Sequence, residues 1–309
     1  MRINLMIEGQ ESVTWDQWVA VAGACEAAGL EGLFRSDHYQ SVQGRSDRSS
    51  LDAWATMAAL GPVTERIRLG TLVSPTSFRH PSVLAKSVVT ADHTSDGRVE
   101  LGIGAGWSQV EHDSYGFAFH DLGTRFDVFE EQLEIIARQF AGEVFDFDGA
   151  HYILQECRAL PQPVQAHLPI IVGGGAGPRS VRNAVAWADE YNSVYADVAT
   201  IRDQHARIMA ACDAAGRDPL THSLMTACLI GSDEANLRDR ATRLQALLGE
   251  DGDVDAWIAD RGDAWIVGTV AQVAAQLDEL ATAGIERVML QNLLHDDLEP
   301  VALMGQLVA

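Results

Sequence analysis

Short apolar runs alternate with amphipathic stretches along almost the whole chain. RINLMI (2–7) reads as a strand, and residues 14–30 as a helix with Thr14 as its N-cap and Gly29 near its end. GLFRS (32–36), RIRLGTLV (66–73) and RVELGIG (98–104) read as further strands. Helical stretches at 51–64, 81–95 and 123–142 follow them. The first stops near Gly61-Pro62, the second opens on a proline that a first helical turn tolerates, and the third puts Phe126, Phe129, Leu133 and Ile136 on one face. The second half keeps the rhythm, with strands at 169–174, 190–196, 222–231 and 287–292 and helices at 178–188, 199–216, 269–284 and 297–308. Eight strand–helix pairs predict an α/β fold, a (β/α)8 TIM barrel in a single domain spanning 1–309. An open doubly wound sheet would carry G-x-G-x-x-G after its first strand, whereas EGQES stands there.

Three stretches break the rhythm. Residues 107–123 read as a long loop inserted after strand four. Residues 143–168 read as a hairpin before strand five, turned by Phe147-Asp148-Gly149-Ala150, with a Pro-rich connection behind it. Residues 232–266 add about two helical segments after strand seven.

Composition narrows the function classes. The apolar fraction is 47%, enough for a large core, and 44 acidic residues face 22 basic ones for a formal charge of −22. Such a surface repels nucleic-acid phosphates and anionic membranes, so neither is expected as a partner. The four cysteines lie far apart with no C-x-x-C, as in a protein of a reducing compartment. MRINLMIEGQ is too short and polar for a signal peptide, and no run of 18 apolar residues occurs, so a cytoplasmic protein is expected. Asp37, His38, His80, Asp92, His93, Glu111, His112 and Asp113 are ligand types, but no H-x-H follows the first strand and no H-E-x-x-H occurs. Consecutive Glu111-His112-Asp113 would point in different directions on a helix. No metal site is expected, and no G-x-S-x-G marks a serine hydrolase.

In a barrel the working residues sit where strands end. Strand two ends in Ser36-Asp37-His38, strand three in Leu72-Val73-Ser74-Pro75, strand four in Gly104-Ala105-Gly106-Trp107, strand six in Tyr195-Ala196-Asp197 and strand eight in Gln291-Asn292. Strand five empties into Gly173-Gly174-Gly175-Ala176-Gly177, with Pro178 and Arg179 next. Glycines there let an anion approach backbone N–H groups at a helix N-terminus; the bland alternative is a tight βα turn, which a single glycine would satisfy. Arg179 either adds a charge or caps the surface. His38 can serve as general acid or base with Asp37 beside it, or simply hydrogen-bond in the barrel mouth. Leu72-Val73-Ser74 is apolar enough to press on a flat ring, or reads as ordinary core.

The stretches RSDHY (35–39), RIRLGTLVSPTSFRHPSVLAK (66–86), DGRVELGIGAGW (96–107), EHDSYGFAF (111–119) and PIIVGGGAGPRSVRNAVAWADEYN (169–192) stand in one order with RFDVFEEQLEII (125–136) and IVGTVAQVAAQL (266–277). Together they resemble the luciferase-like monooxygenase superfamily, in the branch of class F420-dependent oxidoreductases. The resemblance covers most of the chain and is poorest over 232–266. It implies a luciferase-like barrel holding deazaflavin coenzyme F420, or alternatively FMN, at the strand C-termini. It implies a cis peptide at Leu72–Val73 forming a bulge behind the ring, and places Gly104, Gly106 and Trp107 on the other side. It sets Gly173, Gly174, Gly175, Ala176 and Gly177 beside the phosphate and Asp37-His38 near the reactive edge; Ser74 and Tyr195, at the ends of strands three and six, are further candidate cofactor contacts. The sugar-phosphate dehydrogenases of this superfamily carry a glutamate where Trp107 stands, which makes glucose-6-phosphate an unsuitable substrate. The implied activity is hydride transfer to or from a small organic substrate; the rivals are a two-component FMN monooxygenase and a non-catalytic cofactor-binding protein. A homodimer and a separate reductase or dehydrogenase that recycles the cofactor are further expectations of the resemblance.

Overall fold

The computed structural model describes residues 1–45, 47–262 and 264–308. In chain order the first half runs β1 (Arg2–Ile7), α1 (Trp15–Ala28), β2 (Gly32–Arg35), α2 (Ala53–Leu60), β3 (Arg68–Thr71), β4 (Ser74–Pro75), α3 (Pro81–Thr94), β5 (Val99–Gly104), α4 (Gln109–Tyr115) and α5 (Leu122–Phe140). A hairpin of β6 (Val144–Asp148) and β7 (Ile153–Arg158) follows. Then come β8 (Ile170–Gly173), α6 (Pro178–Trp187), β9 (Glu190–Val194), α7 (Val198–Ala215), β10 (Thr221–Gly231), α8 (Glu234–Leu248), α9 (Val254–Asp260), β11 (Ile266–Thr269), α10 (Val270–Thr282), β12 (Arg287–Gln291) and α11 (Glu299–Gly305). Parallel pairing runs β1–β2–β3–β5–β8–β9–β10–β12 and returns to β1, so the eight predicted strands close into a barrel.

The predicted helix starts follow their caps. Thr14 and Gln17 make a capping box at α1, and Gly29 ends it at a φ of 71°. The predicted start of α5 moves to Leu122 because Asp121 accepts a hydrogen bond from Thr124 N–H. Three expectations need correction. The predicted third strand breaks at Leu72–Val73, a cis peptide as the resemblance implied, and resumes as β4. The 107–123 stretch contains α4 rather than loop alone. The hairpin turns at 149–152, closed by Gly149 N–H to Tyr152 O, because the Glu131 carboxylate accepts the N–H groups of Ala150, His151 and Tyr152 from outside the hairpin. The two helical segments expected after strand seven are α8 and α9.

Alternate residues along each strand build the barrel interior in layers. At the base, Arg287 reaches Glu100 at 2.6 Å, Glu31 at 2.7 Å, Glu190 at 3.0 Å and Asn4 Oδ1 at 3.1 Å. Arg287, Glu100, Glu190 and Asn4 are buried, with Glu31 partly exposed at the edge, and the cluster gives partners to polar groups that burial would otherwise leave without them. Two residues on, Met6, Phe34, Leu72, Ile171, Met225 and Met289 form an apolar layer. Phe34 fits only because Gly70 has no side chain: a Cβ there would lie 2.7 Å from its ring. The next inward positions, among them Glu8, Gly104, Gly173, Val194 and Gln291, line a cavity. The barrel is therefore sealed below and open at the strand C-termini.

β10 is longer than its neighbours. Its outer half, Cys228–Gly231, leaves the ring and pairs with β11, a strand beyond the eight that the alternation predicts. Leu229, Leu237, Ala241, Leu244, Trp257 and Leu294 pack a second, smaller core there under α8 and α9.

Candidate functional site

The mouth of the barrel encloses a cavity of about 870 Å³. His38, Leu72, Val73, Gly104, Gly106, Trp107, Gly173, Gly174, Gly175, Gly177 and Tyr195 line it, so the structure brings together most of the positions chosen from strand ends. Asp37, Ser74 and Ala176 are not in the wall.

Val73 explains two of the glycines. Its side chain stands between β5 and β8, where a Cβ on Gly104 would come within 2.9 Å of it and one on Gly173 within 3.1 Å. The bulge thus presents a flat apolar face with glycine backbone on both sides.

The wider glycine stretch answers to a different demand. A Cβ at Gly175 or Gly177 would meet nothing within 4 Å, so no protein atom requires glycine at either. Their N–H groups have no hydrogen-bond partner among the described residues. By contrast Gly174 N–H bonds to Asn192 O at 3.0 Å, and Ala176 N–H to the Tyr191 hydroxyl at 2.8 Å, which turns Ala176 away from the cavity. Gly177 is the N-cap of α6 and offers no capping side chain, leaving first-turn donors free. Bare donors at a helix N-terminus in a concave wall fit an anionic tail such as a cofactor phosphate. Arg179 adds no charge to it: its guanidinium is held by Glu130 at 2.9 Å and Asp127 at 2.7 Å on α5.

His38 is held from a distance in sequence. Glu111, on α4, approaches His38 Nδ1 at 2.7 Å, and its other oxygen accepts the Tyr39 N–H. This fixes the imidazole and leaves Nε2 for the cavity, where it has no partner among the described residues. Burial alone would lower the His38 pKa, but the hydrogen bond and charge of Glu111, with Glu8 and Asp37 behind them, raise it above the ordinary value. Trp107 meets the ring edge-on with centroids 5.7 Å apart and is itself 66% exposed.

Asp37 works behind the wall. Arg79 binds its carboxylate at 2.5 and 3.3 Å and ties it to Asp52, while Ser74 Oγ donates to it at 2.6 Å. Ser74 also accepts from Trp54 Nε1 at 2.9 Å. These two residues join the end of β2 to the bulge after β3, and so position His38 and Val73 without facing the cavity.

Tyr195 donates to Gln291 Oε1, Gln291 donates to Glu8, and Gln10 donates to the second Glu8 oxygen at 2.5 Å. Burial first, and Glu8 second, push the Tyr195 phenol upward, so it stays a donor. Glu8, Met225, Leu248, Trp265 and Leu293 are lining residues that strand-end reading passed over. Asn4, Met6 and Glu8 stand at a spacing of two, a signal that could have put Glu8 inside. The sequence marks Glu111 only as a ligand-type residue, with nothing in its neighbourhood to announce the contact with His38. Among the described residues no three His, Cys, Asp or Glu side chains gather as metal ligands, and no helix is long and apolar enough to cross a membrane.

The sequence pattern described as luciferase-like monooxygenase matches residues 2–287. An uncharacterized protein of Mycobacterium tuberculosis is 34% identical over 171 residues, 55% of this chain and 59% of that protein; the match thus spans under two thirds of the length of the first curated relatives. A pyrimidine monooxygenase of Stutzerimonas stutzeri is 29% identical over 326 residues, covering 93% of this chain and 86% of its own. An F420-dependent hydroxymycolic acid dehydrogenase of Mycobacterium tuberculosis is 29% identical over 241 residues, 75% of this chain and 64% of that protein. Among solved structures, an F420-dependent secondary alcohol dehydrogenase in complex with an F420-acetone adduct superposes with a TM-score of 0.82 at 18% identity, covering 99% of this chain and 98% of its own. The oxygenating constituent of 3,6-diketocamphane monooxygenase of Pseudomonas putida, in complex with FMN, does so at 0.78 and 18%, covering 100% and 98%. At such identity the structures establish the shared fold.

Proposed function

Since the chain belongs to the luciferase-like monooxygenase family, we propose that it is an oxidoreductase moving hydride between coenzyme F420 and a small organic substrate. The observation that carries this reading is the open glycine cradle, Gly175 and Gly177, on the same cavity as the Val73 face and His38. When bound, the deazaflavin would supply the two-electron hydride chemistry. Val73 would back its ring, and the free N–H groups at the start of α6 would hold its phosphate. His38 Nε2 then gives a proton to, or takes one from, the substrate oxygen, with Glu111 orienting the imidazole and favouring its protonated form. Trp107 and the aromatic side chains behind it exclude water from that exchange. The hydroxymycolic acid dehydrogenase relative supports F420.

A second reading is an FMN-dependent monooxygenase, favoured by the pyrimidine monooxygenase relative that aligns over 93% of the chain. Titrating the purified protein with each cofactor, followed by absorbance and quenching of tryptophan fluorescence, separates the two. Saturable F420 binding is the expected result; tight FMN binding with no response to F420 would overturn it. The reading also includes a homodimer and a separate enzyme that recycles the cofactor.

A further inference from the structure

The strand order splits the cavity wall into two halves. β3, β5 and β8 carry the Val73 face and the glycines. Across the ring lie β10, β12 and β1, and their lining residues are Met225, Gln291, Leu293 and Glu8. Leu248 and Trp265, from either side of α9, roof this second half. A ring backed by Val73 exposes its other face toward these residues, so this half receives the substrate.

Its chemistry is lopsided. No lysine or arginine lines any part of the cavity among the described residues. The two carboxylates in the wall are Glu111, which is matched to His38, and Glu8. Glu8 makes no ion pair among the described residues; two neutral amides, from Gln10 and Gln291, hold its oxygens. Its charge is felt across the cavity, since it raises the pKa of both His38 and Tyr195. The neighbouring cations are turned elsewhere. Arg35 is buried behind Gly9, bonded to Ser36 O, Thr56 and Leu51 O, and Arg48 pairs with Glu11.

We infer that Glu8 is a specificity-determining residue, and that the substrate is an uncharged molecule with an apolar body and one oxygen function, carboxylates and phosphates being excluded from this half of the cavity. An anion entering here would leave water for a wall in which the one cationic side chain, His38, is already matched by Glu111, while the Glu8 carboxylate has no cation beside it among the described residues, a cost that ordinary apolar contacts do not offset. A neutral alcohol or ketone meets no such cost: its body packs on Leu248, Trp265 and Leu293, and its oxygen reaches His38. Calling that molecule a substrate rests on the proposed function; the charge selection itself does not.

The test uses two probes of similar size, cyclohexanone and cyclohexanecarboxylate, titrated by calorimetry and tryptophan fluorescence into protein whose Gly175 and Gly177 N–H groups are occupied by cofactor, or by inorganic phosphate where no cofactor binds. Cyclohexanone should bind, and the carboxylate should bind roughly tenfold more weakly or worse. Glu8→Gln should narrow that ratio severalfold. Leu248→Lys, which leaves the Glu8 contacts intact, should bring carboxylate affinity up to or past that of the ketone, and so keeps the test decisive if the first variant folds poorly. Equal or tighter carboxylate binding to the unaltered protein overturns the inference, as does failure of both probes to bind. Cofactor titration on the same sample stands apart: absence of cofactor binding defeats the proposed function, while the ratio between probes still decides the charge selection.

Discussion

At the scale of single residues, His38 owes its chemistry to Glu111. Burial disfavours the imidazolium and the carboxylate restores it, so the protonated form persists to higher pH than in a free histidine. The sign for a variant follows directly. Glu111→Gln leaves burial opposed only by Glu8 and Asp37, lowers the His38 pKa, and should move the limb of the pH–rate profile that His38 sets down by about one unit or more. The same shift should show in the His38 imidazole resonance without any substrate present. A limb that stays in place would remove His38 as the titrating group. Asp37 teaches the converse. It is adjacent to His38 in sequence and equally polar, yet Arg79 and Ser74 consume its carboxylate. Sequence adjacency made the pair look like one unit; the alternation of a strand end sends the two side chains to opposite sides of the wall.

At the scale of elements, the loop between β8 and α6 holds two kinds of glycine. Gly173 yields to Val73, whereas Gly175 and Gly177 yield to nothing in the protein. Gly175→Val should therefore alter stability by about 0.5 kcal/mol or little more. It should weaken cofactor binding by roughly tenfold or more, because its side chain fills the space and blocks the free N–H groups. Equilibrium unfolding and cofactor titration on one preparation check both halves of the statement; a large loss of stability with unchanged affinity would make the glycine structural. This stretch was legible in the sequence as a glycine excess after a strand. The roof over the β10, β12 and β1 half of the cavity was not. Leu248 ends α8 and Trp265 precedes β11, and neither sits at a strand end of the barrel. Their placement depends on β10 running past the ring to pair with β11, which no local pattern announces.

At the scale of the whole molecule, the barrel base carries buried groups whose protonation is tied to folding. His222 donates through Nε2 to Ser193 Oγ at 2.9 Å, while Ser193 donates to Gln204, and its ring stacks on His205 with centroids 5.5 Å apart. Burial, and then His205, lower its pKa to about 4. The unfolded chain takes up a proton near pH 6.5 that the folded one refuses. Stability contributed by the neutral form is therefore complete above that value and falls as the pH drops toward 4, by at most about 3 kcal/mol. Urea unfolding at pH 7 and pH 5 should show the loss, and His222→Gln should flatten the difference; an unchanged pH dependence in the variant would assign the acid sensitivity elsewhere. By itself the sequence determined the order of the eight barrel strands and of the helices between them, the Thr14 cap of α1, and the glycine-rich exits, because each rests on patterns a few residues long. Only the tertiary structure decided that Glu111 meets His38 across 73 positions of chain, that Asp37 faces away, and that Glu8 looks into the cavity with no ion-pair partner among the described residues. Such meetings depend on ring closure and on the register between strands, which bring together side chains whose separation along the chain carries no information about their distance in space.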